Sequence, residues 1–96
     1  MVKIDTLRDL KYAVDIIDEL KKIGNSLCKL DVADCNCGLT PRQEKRRENL
    51  ECKAKKLAAK LGLYIYHQPD PRGATLYLLE NENKADNYYF EGYPII

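Results

Sequence analysis

The spacing of apolar residues predicts a first helix over residues 5–24. Apolar side chains recur every three or four positions there, which places them on one stripe of a helix. They are Leu7, Leu10, Val14, Ile17 and Leu20. Gly24 and Asn25 tolerate the left-handed backbone of a helix end, so we expect the helix to stop there. Residues 25–39, which hold three of the four cysteines, are then expected to form an irregular loop.

A second helix is predicted over residues 41–61. Thr40 is a suitable N-cap, and Gln43 three positions later completes a capping box. Gly62 follows the last helical position, where glycine commonly ends a helix. The apolar stripe occupies only the second half of this helix, and it consists of Leu50, Ala54, Leu57, Ala58 and Leu61. Residues 42–49 contain no large apolar side chain, so we expect them to project beyond the core or to meet a polar partner.

Beyond the second helix, apolar and polar residues alternate with the period of β-strands. Two alternating runs, 63–68 and 74–80, predict two strands, and residues 87–90 begin a third that residues 93–96 can continue. We expect a single α+β domain over residues 1–96, in which two helices pack on one face of a small three-stranded antiparallel meander.

Composition and charge restrict the classes of function. The chain has 96 residues, of which 45% are hydrophobic and 32% charged. It contains no signal-peptide core and no apolar run of the roughly 20 residues that a membrane span needs, so a cytoplasmic protein is expected. Net charge is +1, yet residues 42–60 hold eight basic and three acidic side chains. Such a block attracts phosphates or acidic proteins, although a solvated helix face has the same composition.

The four cysteines do not have the spacing of a typical zinc site. Cys28, Cys35, Cys37 and Cys52 lack the pair separated by two to four residues from which structural zinc sites are usually built. Buried or unused thiols are therefore favoured over a metal site, and no cofactor is expected.

The segment YHQPDPRGATLY, residues 66–77, contains a predicted turn between two strands. Asp70, Pro71 and Gly73 fit a type I turn. The turn does not need His67, Gln68 or Arg72, so these three are candidates for ligand binding, with Arg72 the strongest because its planar guanidinium suits phosphate or carboxylate.

Further candidates come from the predicted sheet and the basic helix. They are Tyr64, Tyr66 and Tyr77, which alternation places on one sheet face, and Arg46 and Arg47. A tyrosine face rimmed by cations can stack bases, or a second copy of the chain can cover it, and we expect a homo-oligomer. No residues have the spacing of a catalytic triad or a phosphate-binding glycine loop, so no enzyme is expected.

Residues 39–78 resemble a group of small phage-encoded accessory proteins. The resemblance rests on LTPRQEKRRENL, residues 39–50, and on the hairpin residues Tyr66, Gln68 and Asp70 to Gly73. It implies a non-enzymatic anti-defence protein that sequesters an anionic ligand, most simply a nucleotide-type host immune signal. Two alternatives remain open: an inhibitor that binds an acidic surface of a host defence protein, and a nucleic-acid-binding module that uses the basic helix over residues 42–60.

Overall fold

The computed structural model of the chain describes residues 4–68, 75–80 and 93–95. Its main elements are helix α1 (Leu7–Cys37), helix α2 (Pro41–Lys60), strand β1 (Tyr64–His67) and strand β2 (Leu76–Leu79). The α+β class is therefore confirmed, with two helices followed by an antiparallel pair of strands. Neither helix, in the described part of the chain, combines the length and the apolar character of a membrane span.

The sheet is organised around β2. Tyr64 lies opposite Leu79, and His67 lies opposite Leu76. A two-residue strand, β3 (Tyr93–Pro94), pairs antiparallel with the other edge of β2. Residues 87–90, where the third strand was predicted to begin, lie outside the described residues.

Helix α1 continues through most of the segment that was predicted to be an irregular loop. Residues 25–37 are helical, and Gly24 is buried within the helix instead of ending it. The apolar period continues beyond this glycine with Leu27 and Leu30, both buried. Their burial outweighs the roughly 1 kcal/mol that a glycine costs inside a helix. The helix ends at Gly38, whose φ of 76° lies in the region that favours glycine.

The buried stripe of α1 agrees only in part with the predicted one, since Leu20 is buried and Ile17 packs against the core. Leu7 is 84% exposed, and Leu10 and Val14 are about half exposed. The core instead uses a neighbouring stripe that includes Ala13, Ile16, Leu20, Ile23 and Leu27. A three-residue connection makes the two helices antiparallel, and α1 has 31 residues whereas α2 has 20. The first turns of α1 therefore extend beyond the end of α2, which explains their exposure.

One hydrophobic cluster joins both helices to the sheet. Besides the α1 stripe, it contains Ala54, Ala58, Leu61, Leu76, Leu78 and Ile95. Ala54 and Ala58 are fully buried, and such small side chains let α1 approach α2 closely. The opposite side of α2 is left exposed, and this division of the helix determines where its charged residues lie.

Candidate functional site

His67 lies inside the protein, where it connects three elements. Its side chain is 8% exposed. The ring Nδ1 lies 2.7 Å from Oε1 of Glu51 on α2, and Nε2 lies 2.8 Å from Oδ2 of Asp31 on α1. The sequence predicts His67 as a ligand-binding residue, and the structure places both of its ring nitrogens against carboxylates of the protein itself.

Both ring nitrogens of His67 are used inside the protein. Carboxylate oxygens accept hydrogen bonds, so the ring supplies an N–H donor to these contacts. While the ring is held in this way, neither nitrogen is available as a general base, and the chain has no other histidine.

Arg47 is held close to the same buried carboxylate. Asp31 is 1% exposed, and its Oδ1 lies 3.8 Å from Nη1 of Arg47. This oxygen accepts no hydrogen bond from the described residues. The same Nη1 lies 3.2 Å from Oδ2 of Asp34, one turn further along α1. Arg47 therefore lies between two carboxylates of α1, and its role in ligand binding stays a prediction.

We call these five residues the charge cluster: Asp31, Asp34, Arg47, Glu51 and His67. The cluster holds three carboxyl groups, one guanidinium group and one imidazole ring. It fixes α1, α2 and β1 relative to one another because each element supplies at least one member. One feature of the sequence indicates the charge cluster. Asp31 follows Leu27 by four residues, which places this carboxylate on the buried stripe of α1.

The predicted tyrosine face is only partly exposed. Tyr66 and Tyr77 are half-buried and lie opposite each other, with ring centroids 6.4 Å apart and planes tilted by 41°. Tyr64 is 47% exposed, but Leu79 opposite it is only 2% exposed. Because the side chain of Leu79 lies on the same face, that face is not an open platform for stacked bases.

Gln68 and Arg72 are the remaining candidates of the predicted turn. Gln68 is half-buried, and its backbone N–H donates to the carbonyl oxygen of Thr75 at 2.9 Å. Arg72, the strongest candidate in the sequence, lies outside the described residues, as do the turn residues Asp70, Pro71 and Gly73.

A cavity of about 300 Å³ lies between α2 and strands β1 and β2. It is lined by Glu51, Ala54, Lys55, Ile65, Tyr66, His67 and Leu76. Lys55 could attract an anion, but the carboxylate of Glu51 lines the same space and repels one. His67, which also lines the cavity, already contacts two carboxylates, so this cavity is poorly suited to a phosphate group.

The exposed side of α2 carries a row of cations. Arg42, Lys45, Arg46, Asn49, Leu50 and Lys53 line a shallow hollow of about 680 Å³. Helical spacing extends this row to Lys56 and Lys60, three and seven residues after Lys53. We call the six cations the basic flank: Arg42, Lys45, Arg46, Lys53, Lys56 and Lys60, all exposed.

The basic flank is not neutralised by its own helix. Glu44, Glu48 and Glu51 project from the opposite side of α2, as their helical spacing requires. In the part of the chain that the structure describes, no ion pair joins two side chains of α2, and Arg47 is its only cation with an ionic partner. Within the described residues, ion pairs between side chains of α2 therefore do not neutralise the basic flank. Arg46 is the one predicted ligand-binding residue that lies on it.

The cysteines form no cluster that resembles a metal site. All four are free thiols, with Cys35, Cys37 and Cys52 exposed and Cys28 half-buried. Among residues 4–68, 75–80 and 93–95, no three histidine, cysteine or acidic side chains are arranged to hold a metal ion.

No family model, no curated protein and no solved structure matches this chain. The charge cluster and the basic flank are therefore the features of the described chain that bear on its function.

Proposed function

We propose that this chain is a non-enzymatic binding protein that captures an anionic, phosphate-bearing ligand on the basic flank of α2. The observation that carries the proposal is the separation of charge on this helix. Six exposed cations share one side, and none of them is paired with a described carboxylate. Unpaired cations on one surface create a positive potential that attracts phosphate groups.

Among the described residues, the basic flank is better suited to an anion than the cavity beside His67. Of the hairpin candidates, His67 is held by two carboxylates, and the nearby cavity includes Glu51. The basic flank has no acidic residue along its length. Lys and Arg side chains there can turn toward a phosphate without giving up an internal contact.

Binding without turnover is consistent with the state of the only histidine. Both of its ring nitrogens take part in the charge cluster, which supports a structural role for it. We therefore propose stoichiometric capture of the ligand rather than its conversion. A role against host defence is part of the proposal only through the resemblance to phage accessory proteins.

Calorimetric titration of two variants tests this proposal. Arg46→Gln with Lys53→Gln removes two charges from the basic flank, whereas Lys21→Gln with Lys22→Gln removes two from α1. Within the described residues, the ionic partner of Lys22 is Glu19, at 3.6 Å on the surface, so the control should cost little stability.

The ligands for this titration are a nucleoside triphosphate and a 16-nucleotide oligonucleotide. Loss of two phosphate contacts, at about 0.7 kcal/mol each, should weaken binding roughly tenfold in the flank variant and hardly at all in the control. Binding of neither ligand by the unaltered protein, or equal losses in both variants, would refute the proposed site.

A further inference from the structure

We infer that the ligand of the basic flank is the sugar–phosphate backbone of a nucleic acid, bound without regard to base sequence. This inference rests on the proposed function and specifies its ligand. Three properties of the flank support it: its length, its openness and the kind of side chains that form it.

The basic flank is a row rather than a cluster. Its first and last members, Arg42 and Lys60, are 18 residues apart, which corresponds to about 27 Å along the helix at about 1.5 Å per residue. One strand of a duplex presents a phosphate about every 3.4 Å of helix axis, so a row of this length spans about eight phosphates. The contiguous phosphates of a mononucleotide can reach the cations of only one or two neighbouring turns.

Within the described residues, the hollow along the flank is open, because its only lining there is one side of α2. Sites for small molecules are concave and bury most of the ligand, whereas a backbone needs only a surface along which it can lie. The described geometry therefore fits an extended ligand better than a compact one.

The side chains of the flank favour phosphate over bases. Four of the six cations are lysines, which are point charges on flexible stems and bind phosphate without a fixed geometry. Contacts to phosphate position a nucleic acid but carry no direct sequence information. Glu44 and Glu48 on the other side of the helix repel the same backbone, so the strand is confined to one side of α2.

Fluorescence anisotropy with labelled nucleic acids tests the inference. The probes are mixed-sequence single strands of 4, 8 and 16 nucleotides and a 16-base-pair duplex, each at 50 and 200 mM salt. We expect affinity to rise with length up to about eight nucleotides, as the row is filled, and to be independent of sequence. The single strands and the duplex distinguish the two sources of the same backbone.

The slope of affinity against salt counts the phosphates that are contacted. Each contact contributes about −0.7 to the logarithmic slope for a single strand and about −0.9 for a duplex. The variant Arg46→Gln with Lys53→Gln should lower the magnitude of the slope by about 1.4 for a single strand and about 1.8 for the duplex, and the control Lys21→Gln with Lys22→Gln should leave it unchanged.

Competition experiments separate the failure of this inference from the failure of the proposed function. If a nucleoside triphosphate displaces the 16-mer at equal phosphate concentration, the backbone inference is overturned and capture of a small phosphate ligand stands. If polyglutamate competes as well as the 16-mer, the flank recognises acidic polymers in general and the inference fails. If no phosphate ligand binds, both the inference and the proposed function fail.

Discussion

Arg46 and Arg47 are neighbours in sequence, yet they belong to two different regions of the molecule. Arg47 lies seven residues before Ala54, on the side of α2 that faces α1, and its side chain is 25% exposed. Arg46 is rotated by about 100° and lies on the exposed basic flank. The guanidinium of Arg47 therefore makes an internal contact, whereas that of Arg46 remains available to a ligand.

The two regions also differ in how they respond to loss of a charge. In the charge cluster, Asp31 is shielded from water, so removing one of its cations leaves a buried charge without compensation. On the basic flank, each cation is already hydrated and screened by salt, so its removal hardly affects folding. Stability should depend on the first region and ligand binding on the second.

His67→Ala should produce the largest loss of stability. The substitution removes the ring that lies 2.8 Å from Oδ2 of Asp31 and leaves this carboxylate buried without that partner, which costs about 3–5 kcal/mol. Urea denaturation followed by circular dichroism measures this change. His67→Gln, which keeps one donor, should lose less. A loss below about 1 kcal/mol for His67→Ala would show that the cluster does not stabilise the fold.

A double substitution should recover part of that loss. Asp31→Leu and His67→Leu together replace the most buried pair with apolar side chains and leave no orphan charge between them. We expect the double variant to be more stable than the sum of the single losses predicts, by about 1–3 kcal/mol. Strictly additive losses in the double-mutant cycle would contradict a direct interaction between the two residues.

Thr40→Ala should have a smaller effect on stability. Thr40 Oγ1 accepts from the N–H of Gln43 at 3.2 Å, and Gln43 Oε1 accepts from the N–H of Thr40 at 2.9 Å. Loss of this cap should cost about 1 kcal/mol, or about 4–8 °C in Tm for a domain of this size. Thr40→Ser keeps the hydroxyl that caps α2, so this variant should keep most of the stability. Equal losses for both variants would contradict the role of the hydroxyl.

Local chemistry accounts for the parts of the fold that the sequence predicted well. Helix α2 was predicted over residues 41–61 and observed over Pro41–Lys60, because its capping box and Gly62 act within a few residues. The end of α1 was predicted wrongly because Gly24 is a local stop signal, and burial of Leu27 and Leu30 in the tertiary structure overrides it.

The charge cluster could not be predicted in the same way. Asp31, Glu51 and His67 lie on three elements, and only the packing of α1 against α2 and the hairpin brings them together. The sequence could in part have predicted that Arg46 and Arg47 lie on different sides of α2. Arg47 precedes Ala54 by seven residues, which places it on the same side of the helix as Ala54 and Ala58. The basic composition of residues 42–60 predicts an anionic partner, but it does not show that Arg47 contacts carboxylates of α1.

Measuring stability and oligonucleotide affinity for Arg46→Gln and Arg47→Gln tests the central claim most directly. The two variants have the same net charge and differ by one position. Arg47→Gln should lose about 1.5–3 kcal/mol of unfolding free energy, as for hydrogen bonds to charged groups, and should retain the affinity of its folded fraction. Arg46→Gln should change stability by less than about 0.5 kcal/mol and weaken binding of the 16-mer severalfold. The opposite assignment, or equal effects of both variants on both quantities, would contradict the division of α2 into an internal face and a ligand-binding face.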